Sequence, residues 1–298
     1  MKVGMIGAGI MGSSIARNLV AAGTPVTGFD IAAERRQELR TMGAEAAPSA
    51  SEVVAAADII LASLPSVGAL DETVAAILAA PRKSHVLVEL STLPIDAKLR
   101  NRDALLAAGV AMLDCPLSGT GAQAVTRDLV VYASGDRAAY DRCAPVFPGF
   151  SRLAYYLGEF GSGSKMKFVA NLLVAIHNVA SAEAMVLGMK AGLDPADIVK
   201  VIGSGAGTSR VFELRAPLMA AATYQPPSMK IGIWQKDMAV IGEFATKLGV
   251  ATPLFAASAP IYNAAMGQGL DGEDTAAVCA VLEGMAGIAR HKKEGKVP

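Results

Sequence analysis

The chain has 298 residues, more than the ~100–200 typical of one domain, so two domains are expected. Its 27 basic and 27 acidic residues balance, and no stripe of Arg and Lys interleaved with aromatics occurs, so no nucleic-acid partner is expected. The three cysteines are widely spaced and form neither a disulfide framework nor a CxxC metal pattern, so we expect a soluble, cytoplasmic protein without a metal site.

The first half of the chain alternates short strand-like runs with Ala-rich helical patterns. This alternation predicts an α/β fold of the Rossmann type, with a parallel, doubly wound sheet. The predicted strands are Val3–Ile6, Val26–Phe29, Ile59–Ser63, Val86–Glu89 and Ala111–Asp114, with two more near Leu129–Ala133 and Leu153–Leu157. The predicted helices between them are Met11–Ala22, Ala33–Met42, Leu70–Ala79 and Ala97–Ala107.

After about Gly161 the pattern changes, and only helices are predicted. They are Met166–Ala191, Pro195–Ser204, Ser209–Ala221, Ile233–Leu248, Pro253–Met266 and Asp274–Ala289. The sequence therefore predicts an α/β domain over residues 1–160 and an all-α C-terminal domain over residues 161–298.

The longest apolar stretch, Phe168 to Met189, contains the polar residues Asn171, His177, Asn178 and Glu183. So many polar groups are costly in hydrocarbon. The stretch is therefore predicted to be a buried or subunit-facing helix, and no membrane association is expected.

A GAGIMG sequence beginning at Gly7 follows the first predicted strand and opens the first predicted helix. In this pattern Gly7 permits a tight turn, Gly9 lets the backbone approach a pyrophosphate, and Gly12 allows the helix to pack on the strand. The helix N-terminus attracts the anion. The motif predicts a dinucleotide site, to which Ile10 and Met11 are also assigned. The alternative is a purely structural glycine turn.

An acidic residue at the end of the second predicted strand favours the cofactor interpretation. Asp30 lies about 18 residues beyond Gly12, where the ribose hydroxyls of a dinucleotide are bound. A carboxylate there accepts hydrogen bonds from the ribose and repels a 2′-phosphate, so NAD is predicted over NADP. Arg35 and Arg36, inside the next helix, leave NADP open.

Two further segments come at strand ends, where open α/β sheets bind ligands. Leu64 and Pro65 close the third of these strands, and Ser91 and Thr92 follow the fourth. Ordinary loop chemistry is an equally good explanation of both.

The segment after the fifth strand contains Ser118, Gly119 and Thr120. Their hydroxyls and successive backbone N–H groups could form a nest for a carboxylate. A simple turn is the alternative.

Two lysines lie where a helix is expected to begin with a serine N-cap, within Gly161–Ser164. Residues two apart on a helix are ~200° apart, so Lys165 and Lys167 point to opposite faces. Lys165 heads an apolar face and is interpreted as reaching solvent.

Lys167 shares its face with Asn171. The helix dipole and partial burial would lower the pKa of Lys167 toward ~7–8, which suits acid–base catalysis. A solvated surface pair is the alternative.

Four stretches, taken in chain order, resemble the β-hydroxyacid dehydrogenase family, which includes 3-hydroxyisobutyrate dehydrogenase and tartronate semialdehyde reductase. They are GMIGAGIMGSSIARNLVAAG, DCPLSGTGAQA, GSGSKMKFVANLL and WQKDMAVIGEFA. The resemblance covers nearly the whole chain and also matches its length.

The resemblance implies an NAD(P)-binding Rossmann domain joined by a long helix to an all-helical domain for substrate binding and oligomerisation. It also implies a homodimer or homotetramer. A small carboxylate substrate would bind at Ser118, Gly119 and Thr120, with Lys167 as general acid–base and Asn171 as its partner in a Lys-x-x-x-Asn motif. The cofactor contacts implied by the family correspond to Leu64, Pro65, Thr92 and Lys236. On spacing alone, Lys236 and Asp237 would be an exposed helical charge pair.

The chain departs from its relatives at informative positions. Thr120 replaces the second glycine of the family's Ser-Gly-Gly loop, which would add a methyl and a hydroxyl at the pocket wall. The related decarboxylating 6-phosphogluconate dehydrogenases carry a histidine and an acidic residue where this chain has Ala170 and Val174, so decarboxylation is disfavoured.

The expected reaction is the interconversion of a small 3-hydroxy acid and its semialdehyde or keto acid. Hydride passes between the carbinol carbon and the nicotinamide while Lys167 takes or gives the hydroxyl proton. Imine reduction on the same scaffold is one alternative, and a non-catalytic NAD-binding module is another.

Overall fold

A computed structural model describes residues 2–82 and 84–289 of the chain. Within these residues nine strands form the sheet. They are β1 (Val3–Ile6), β2 (Val26–Phe29), β3 (Glu45–Ala46), β4 (Ile59–Ala62), β5 (Val86–Glu89), β6 (Ala111–Asp114), β7 (Leu117–Ser118), β8 (Val130–Gly135) and β9 (Leu153–Tyr156).

Six of these strands are parallel and lie in the order β3-β2-β1-β4-β5-β6. β8 pairs antiparallel with β6 and β7, and β9 pairs parallel with β8. The order reverses at β1, with β2 on one side and β4 on the other. The predicted parallel, doubly wound sheet is therefore confirmed, and the carboxyl ends of its six parallel strands share one edge.

The central strands are apolar on both faces because helices cover both sides of the sheet. β1, β4 and β5 are buried along their whole length. Alternate residues enter separate apolar clusters. Met5 and Leu61 belong to one cluster, and Ile6 and Ile60 belong to the other.

The helices of the first part of the chain connect these strands. They are α1 (Ile10–Ala21), α2 (Ala33–Thr41), α3 (Ala50–Ala56), α4 (Val67–Ala79), α5 (Ile95–Ala107), α6 (Gly121–Val125) and α7 (Arg137–Cys143). A 3₁₀ turn at Phe147–Gly149 follows.

The later part of the described chain is helical, as the sequence predicts. Its helices are α8 (Ser162–Lys190), α9 (Pro195–Gly203), α10 (Arg210–Ala221), α11 (Ile231–Lys247), α12 (Pro253–Gly267) and α13 (Val278–Met285). The chain divides into two compact units, Met1–Ala170 and Asn171–Pro298, so α8 contributes to both. The domain division at residue 160 stays a prediction from the change in sequence pattern.

Elements missing from the sequence prediction are all short. The two-residue strands β3 and β7 and the helices α3, α6 and α7, of five to seven residues, are too short to give a clear hydrophobic period. The last predicted helix is divided, because a 3₁₀ turn at Thr275–Ala277 precedes α13.

A buried ion pair between Arg215 and Asp274 links three segments of the second unit. Asp274 is fully buried, and both of its carboxylate oxygens accept from the Arg215 guanidinium at 2.7 Å. The same carboxylate accepts from the backbone N–H groups of Ser228 at 2.8 Å and of Ala276 at 3.0 Å. These contacts join α10, the segment before α11 and the 3₁₀ turn before α13.

Helix α8 is long and apolar enough to cross a membrane by length and composition alone. A core helix of a soluble protein passes the same test, so one such helix is weak evidence for a membrane span.

Candidate functional site

Two glycines of the GAGIMG turn are required by close backbone contacts. Gly7 has φ +87°, and a Cβ there would lie 2.2 Å from the carbonyl oxygen of Ser63, which follows β4. A Cβ at Gly12 would lie 1.9 Å from the carbonyl oxygen of Gly7. The turn can therefore bring α1 this close to β1 and β4 only without side chains at these positions.

The third glycine faces open space. A Cβ at Gly9 would meet no atom within 4 Å, and Gly9 is exposed immediately before α1. No described side chain caps this end of α1, and its first turn has no acidic residue. Ile10 is exposed beside it and Met11 is half-buried. An open cradle at an uncapped helix N-terminus fits the pyrophosphate of a dinucleotide.

Asp30 lies directly after β2, and its carboxylate links the glycine turn to the residue before α2. Its Oδ2 accepts from the backbone N–H of Ala8 at 2.7 Å, and its Oδ1 accepts from that of Ala32 at 2.9 Å. The Arg36 guanidinium donates to the main-chain carbonyl of Asp30 at 2.7 Å, whereas Arg35 pairs with the exposed carboxylate of Glu38. The Asp30 carboxylate is thus held in a fixed orientation, which fits a ribose hydroxyl.

The two predicted strand-end segments are linked to each other. The backbone N–H of Leu64 donates to Ser91 Oγ at 2.7 Å, and the N–H of Ser91 donates to Glu89 Oε1 at 2.8 Å. Pro65 is exposed beyond Leu64, and Thr92 is half-buried beyond Ser91. Both segments lie at the carboxyl edge of the parallel strands, as the sequence predicts.

Beneath this edge lies a buried charge cluster that sequence reasoning missed. Glu89 and Asp114 are register partners on β5 and β6, and both are fully buried. Lys98 of α5, also fully buried, places its Nζ 2.5 Å from Glu89 and 2.7 Å from Asp114, and donates to the Ser91 carbonyl at 2.8 Å. Burial alone would lower the pKa of Lys98, but Asp114 and Glu89 outweigh it and raise that pKa.

Asp114 also holds the start of α8. Its Oδ2 accepts from the backbone N–H of Ser164 and its Oδ1 from the Ser164 hydroxyl, both at 2.7 Å. The N–H of Gly163 donates to Ser134 Oγ at 2.9 Å. α8 begins at Ser162, within Gly161–Ser164 as the sequence predicts. The acceptors for the N–H groups of Gly163 and Ser164 are side chains of the sheet, where the sequence predicted a serine N-cap.

The two lysines of this helix lie in different environments. Lys165 is exposed, whereas Lys167 is 8% exposed. Lys167 lies one turn beyond Ser164, close to the carboxyl edge of the sheet. The alternative of a solvated surface pair therefore does not describe Lys167.

The segment Ser118–Thr120 is ordered by its own contacts. Ser118 ends β7 and pairs with Val130, and Gly119 has φ +132°. Gln123 Oε1 accepts from the Thr120 backbone N–H at 3.1 Å and from its hydroxyl at 3.4 Å, so Thr120 caps α6. The Thr120 hydroxyl, expected from the sequence at a pocket wall, thus donates to Gln123.

In the second unit Asn171 lies one turn beyond Lys167 on α8. Its Nδ2 donates to Asp237 Oδ2 at 2.9 Å, and Asn171 and Asp237 are 4% and 5% exposed. Lys236 Nζ lies 3.4 Å from Asp237 Oδ1. The expectation that both charges are exposed is wrong for Asp237, which lies on the buried stripe of α11 with Trp234 and Ile241. That i, i+3, i+7 spacing was the available sequence signal.

Two family profiles match most of the chain. The NAD binding domain of 6-phosphogluconate dehydrogenase matches residues 2–158. The profile described as NAD-binding of NADP-dependent 3-hydroxyisobutyrate dehydrogenase matches residues 161–282.

Individual relatives extend over almost the full length. A 2-(hydroxymethyl)glutarate dehydrogenase of Eubacterium barkeri is 30% identical and aligns over 97% of each chain. An L-threonate dehydrogenase of Cupriavidus necator is 31% identical over 95% of this chain and 97% of its own. The crystal structure of 3-hydroxyisobutyrate dehydrogenase from Salmonella typhimurium has a TM-score of 0.85 at 28% identity, covering 94% of this chain and 99% of that one.

The glycine geometry separates cofactor binding from folding. We expect Gly9→Ala to leave the unfolding midpoint in urea unchanged, because its Cβ meets open space. It should weaken NADH binding at least ~10-fold, because the pyrophosphate needs close backbone approach there. Gly12→Ala should lower the unfolding midpoint, because its Cβ overlaps the Gly7 carbonyl. Fluorescence titration with NADH and urea unfolding measure the two effects. Equal NADH affinity of Gly9→Ala and wild type would contradict the assignment.

Proposed function

Because the chain belongs to the β-hydroxyacid dehydrogenase family of NAD(P)-dependent oxidoreductases, we propose that it interconverts a small 3-hydroxy acid and its semialdehyde or keto acid. The substrate is a small carboxylate, and the bound nicotinamide supplies the hydride chemistry. The main support for the residue assignments is the burial of Lys167 on the first turns of α8, at the sheet edge that carries the dinucleotide turn.

In this proposal Lys167 is the general acid–base. As a neutral amine it takes the proton of the substrate hydroxyl during oxidation, and as an ammonium it returns that proton during reduction. Asn171 orients the lysine or the substrate hydroxyl. Its amide is itself oriented by Asp237, which supports a fixed geometry.

The substrate carboxylate is proposed to bind at Ser118, Gly119 and Thr120. With the Thr120 hydroxyl engaged by Gln123, Ser118 and the backbone N–H groups are the stronger candidates for this contact. Leu64, Pro65, Thr92 and Lys236 are proposed as cofactor contacts, together with the glycine turn and Asp30.

The neighbouring lysine offers a matched control for the proton-transfer role. Lys167→Ala should lower kcat by ~10²–10⁴-fold, the usual contribution of general acid–base catalysis, while NADH still binds. Lys165→Ala removes the same charge from an exposed position two residues earlier and should keep kcat within about twofold. Absorbance at 340 nm across a panel of 3-hydroxy acids and semialdehydes gives both values. If Lys167→Ala keeps turnover within about tenfold of wild type, the assignment is wrong.

NAD is the proposed preferred cofactor. A backbone-anchored Asp30 carboxylate at the ribose position disfavours a 2′-phosphate, and Arg35 is paired with Glu38. The wild type should therefore have the higher kcat/KM with NAD. Asp30→Ala should shift the NAD/NADP ratio of kcat/KM toward NADP at least ~10-fold, because like-charge repulsion is removed. A wild type that works better with NADP would overturn this preference.

We also propose that the protein is a homodimer or homotetramer in the cytoplasm. Apolar side chains are exposed along α8, with Val169 56%, Leu173 47% and Leu187 73% accessible, which supports a subunit contact through the helical part. Cys115, Cys143 and Cys279 form no disulfide, which supports a reducing compartment. Light scattering coupled to gel filtration should give at least twice the 30.5 kDa chain mass. Leu173→Glu should reduce that mass, and a monomeric wild type would contradict the proposal.

A further inference from the structure

Glu89, Lys98 and Asp114 form a fully buried cluster of charged side chains. Burying ions is costly, and replacing such groups by apolar side chains is often neutral or stabilising. Lys98 nevertheless uses its Nζ for Glu89, Asp114 and the carbonyl of Ser91. These three contacts tie α5 to the ends of β5 and β6 and to the loop after β5.

Several contacts of this cluster lead to segments of the candidate site in the first unit. Ser91 accepts from the N–H of Leu64 through its hydroxyl and immediately precedes Thr92. Asp114 is the last residue of β6, four positions before Ser118. It also binds the first turn of α8 through the N–H and the hydroxyl of Ser164.

The link to α8 is geometrically restrictive. Ser164 is 1% exposed and precedes Lys167 by three residues, so the two are neighbours on adjacent turns. A Cβ at Gly163 would lie 2.2 Å from the carbonyl oxygen of Tyr132 and 2.7 Å from that of Asp114. The helix start is thus held directly against the end of β6 and the middle of β8.

We propose that Asp114, oriented by Lys98 and Glu89, is a positioning residue that fixes the first turn of α8 and so places the Lys167 amine for proton transfer. This inference rests on the proposed function. Asp114 acts through the helix, and no contact of its own with substrate or cofactor is required. A small displacement of a reacting group strongly lowers the reaction rate, since a shift of about 1 Å can reduce it ~100-fold.

An asparagine at position 114 cannot reproduce these contacts. Oδ1 accepts from Lys98 and from the Ser164 hydroxyl, and Oδ2 accepts from the Ser164 N–H and, at 3.3 Å, from the Ser134 hydroxyl. An amide has one acceptor oxygen, so its NH₂ must face either Lys98 or the Ser164 N–H. Asp114→Asn therefore loses the hydrogen bond either with Lys98 or with the Ser164 N–H, while the volume of the side chain stays nearly the same.

Asp114→Asn is compared with a variant that removes a single hydrogen bond and with a matched control. Ser164→Ala removes the hydroxyl contact with Asp114 and leaves the backbone one, so it tests the link if Asp114→Asn folds poorly. Ser151→Ala is the control. Ser151 is 5% exposed in the same unit, and its hydroxyl donates to the carbonyl of Phe147 at 2.8 Å. It loses a buried hydroxyl hydrogen bond, here to a backbone carbonyl, without changing a contact of Asp114.

Steady-state kinetics of the full chain test the placement of Lys167. Asp114→Asn should lower kcat by about 10–100-fold and Ser164→Ala by about 3–10-fold, with KM values within about threefold. Ser151→Ala should keep kcat within about twofold. In a Lys167→Ala background Asp114→Asn should cost less than about threefold, because the group that it places is absent. A merely structural defect would lower the active fraction equally in both backgrounds, and that result would overturn the proposal.

Hydrogen exchange provides a readout that needs no substrate. In Asp114→Asn, amides of residues 163–167 should exchange at least ~10-fold faster than in wild type, relative to a peptide containing β1. Unchanged exchange there would overturn the proposal even if kcat falls. Full turnover by Lys167→Ala would instead refute the proposed function, and the exchange data would still decide whether Asp114 holds α8.

Discussion

Two carboxylates on neighbouring strand ends impose the main electrostatic constraint of the first unit. Glu89 and Asp114 are register partners with no solvent access, so their mutual repulsion must be offset inside the protein. Lys98 does so from α5, and removing one member of such a buried group typically costs about 3–5 kcal/mol. The strand ends, the loops after them and the first turn of α8 are therefore ordered together, because they share hydrogen bonds with these three side chains.

Close backbone approach is the second constraint, and it acts at the cofactor end. Gly7 and Gly12 have no room for side chains because β1, β4 and the start of α1 meet there. Gly9 has room and remains open, and the adjacent helix end lacks a side-chain cap. The turn is therefore tightly packed at Gly7 and Gly12, where α1 meets the strands, and open at Gly9, where an anion can approach. Asp30 adds a carboxylate fixed by two backbone N–H groups.

Helix α8 brings the proposed chemistry to this edge. Its first turn is fixed by Asp114 and Ser134, and Lys167 follows one turn later. In the second unit Asn171 is oriented by Asp237, a residue of α11 that is itself buried. The family membership agrees with this arrangement, since a hydroxy acid oxidoreductase needs a proton-transfer group beside its cofactor. In the proposed function Lys167 is that group, and the anchored first turn of α8 limits its movement.

The sequence by itself determined the parallel α/β order and the helical second half, because both depend on local periodicity. It also located the glycine turn and Asp30, because each has a fixed place at the end of one of the first two strands. It made Lys167 and Asn171 candidates, since four residues on a helix bring two side chains to one face, and the resemblance to the family favoured them over a solvated surface pair. Only the tertiary structure decided that Asp237 is buried beneath Asn171, that Thr120 caps a helix, and that Asp114 caps α8 from 50 residues away. These outcomes depend on which polar groups meet when distant elements pack, and the burial that makes such partners necessary exists only in the folded chain.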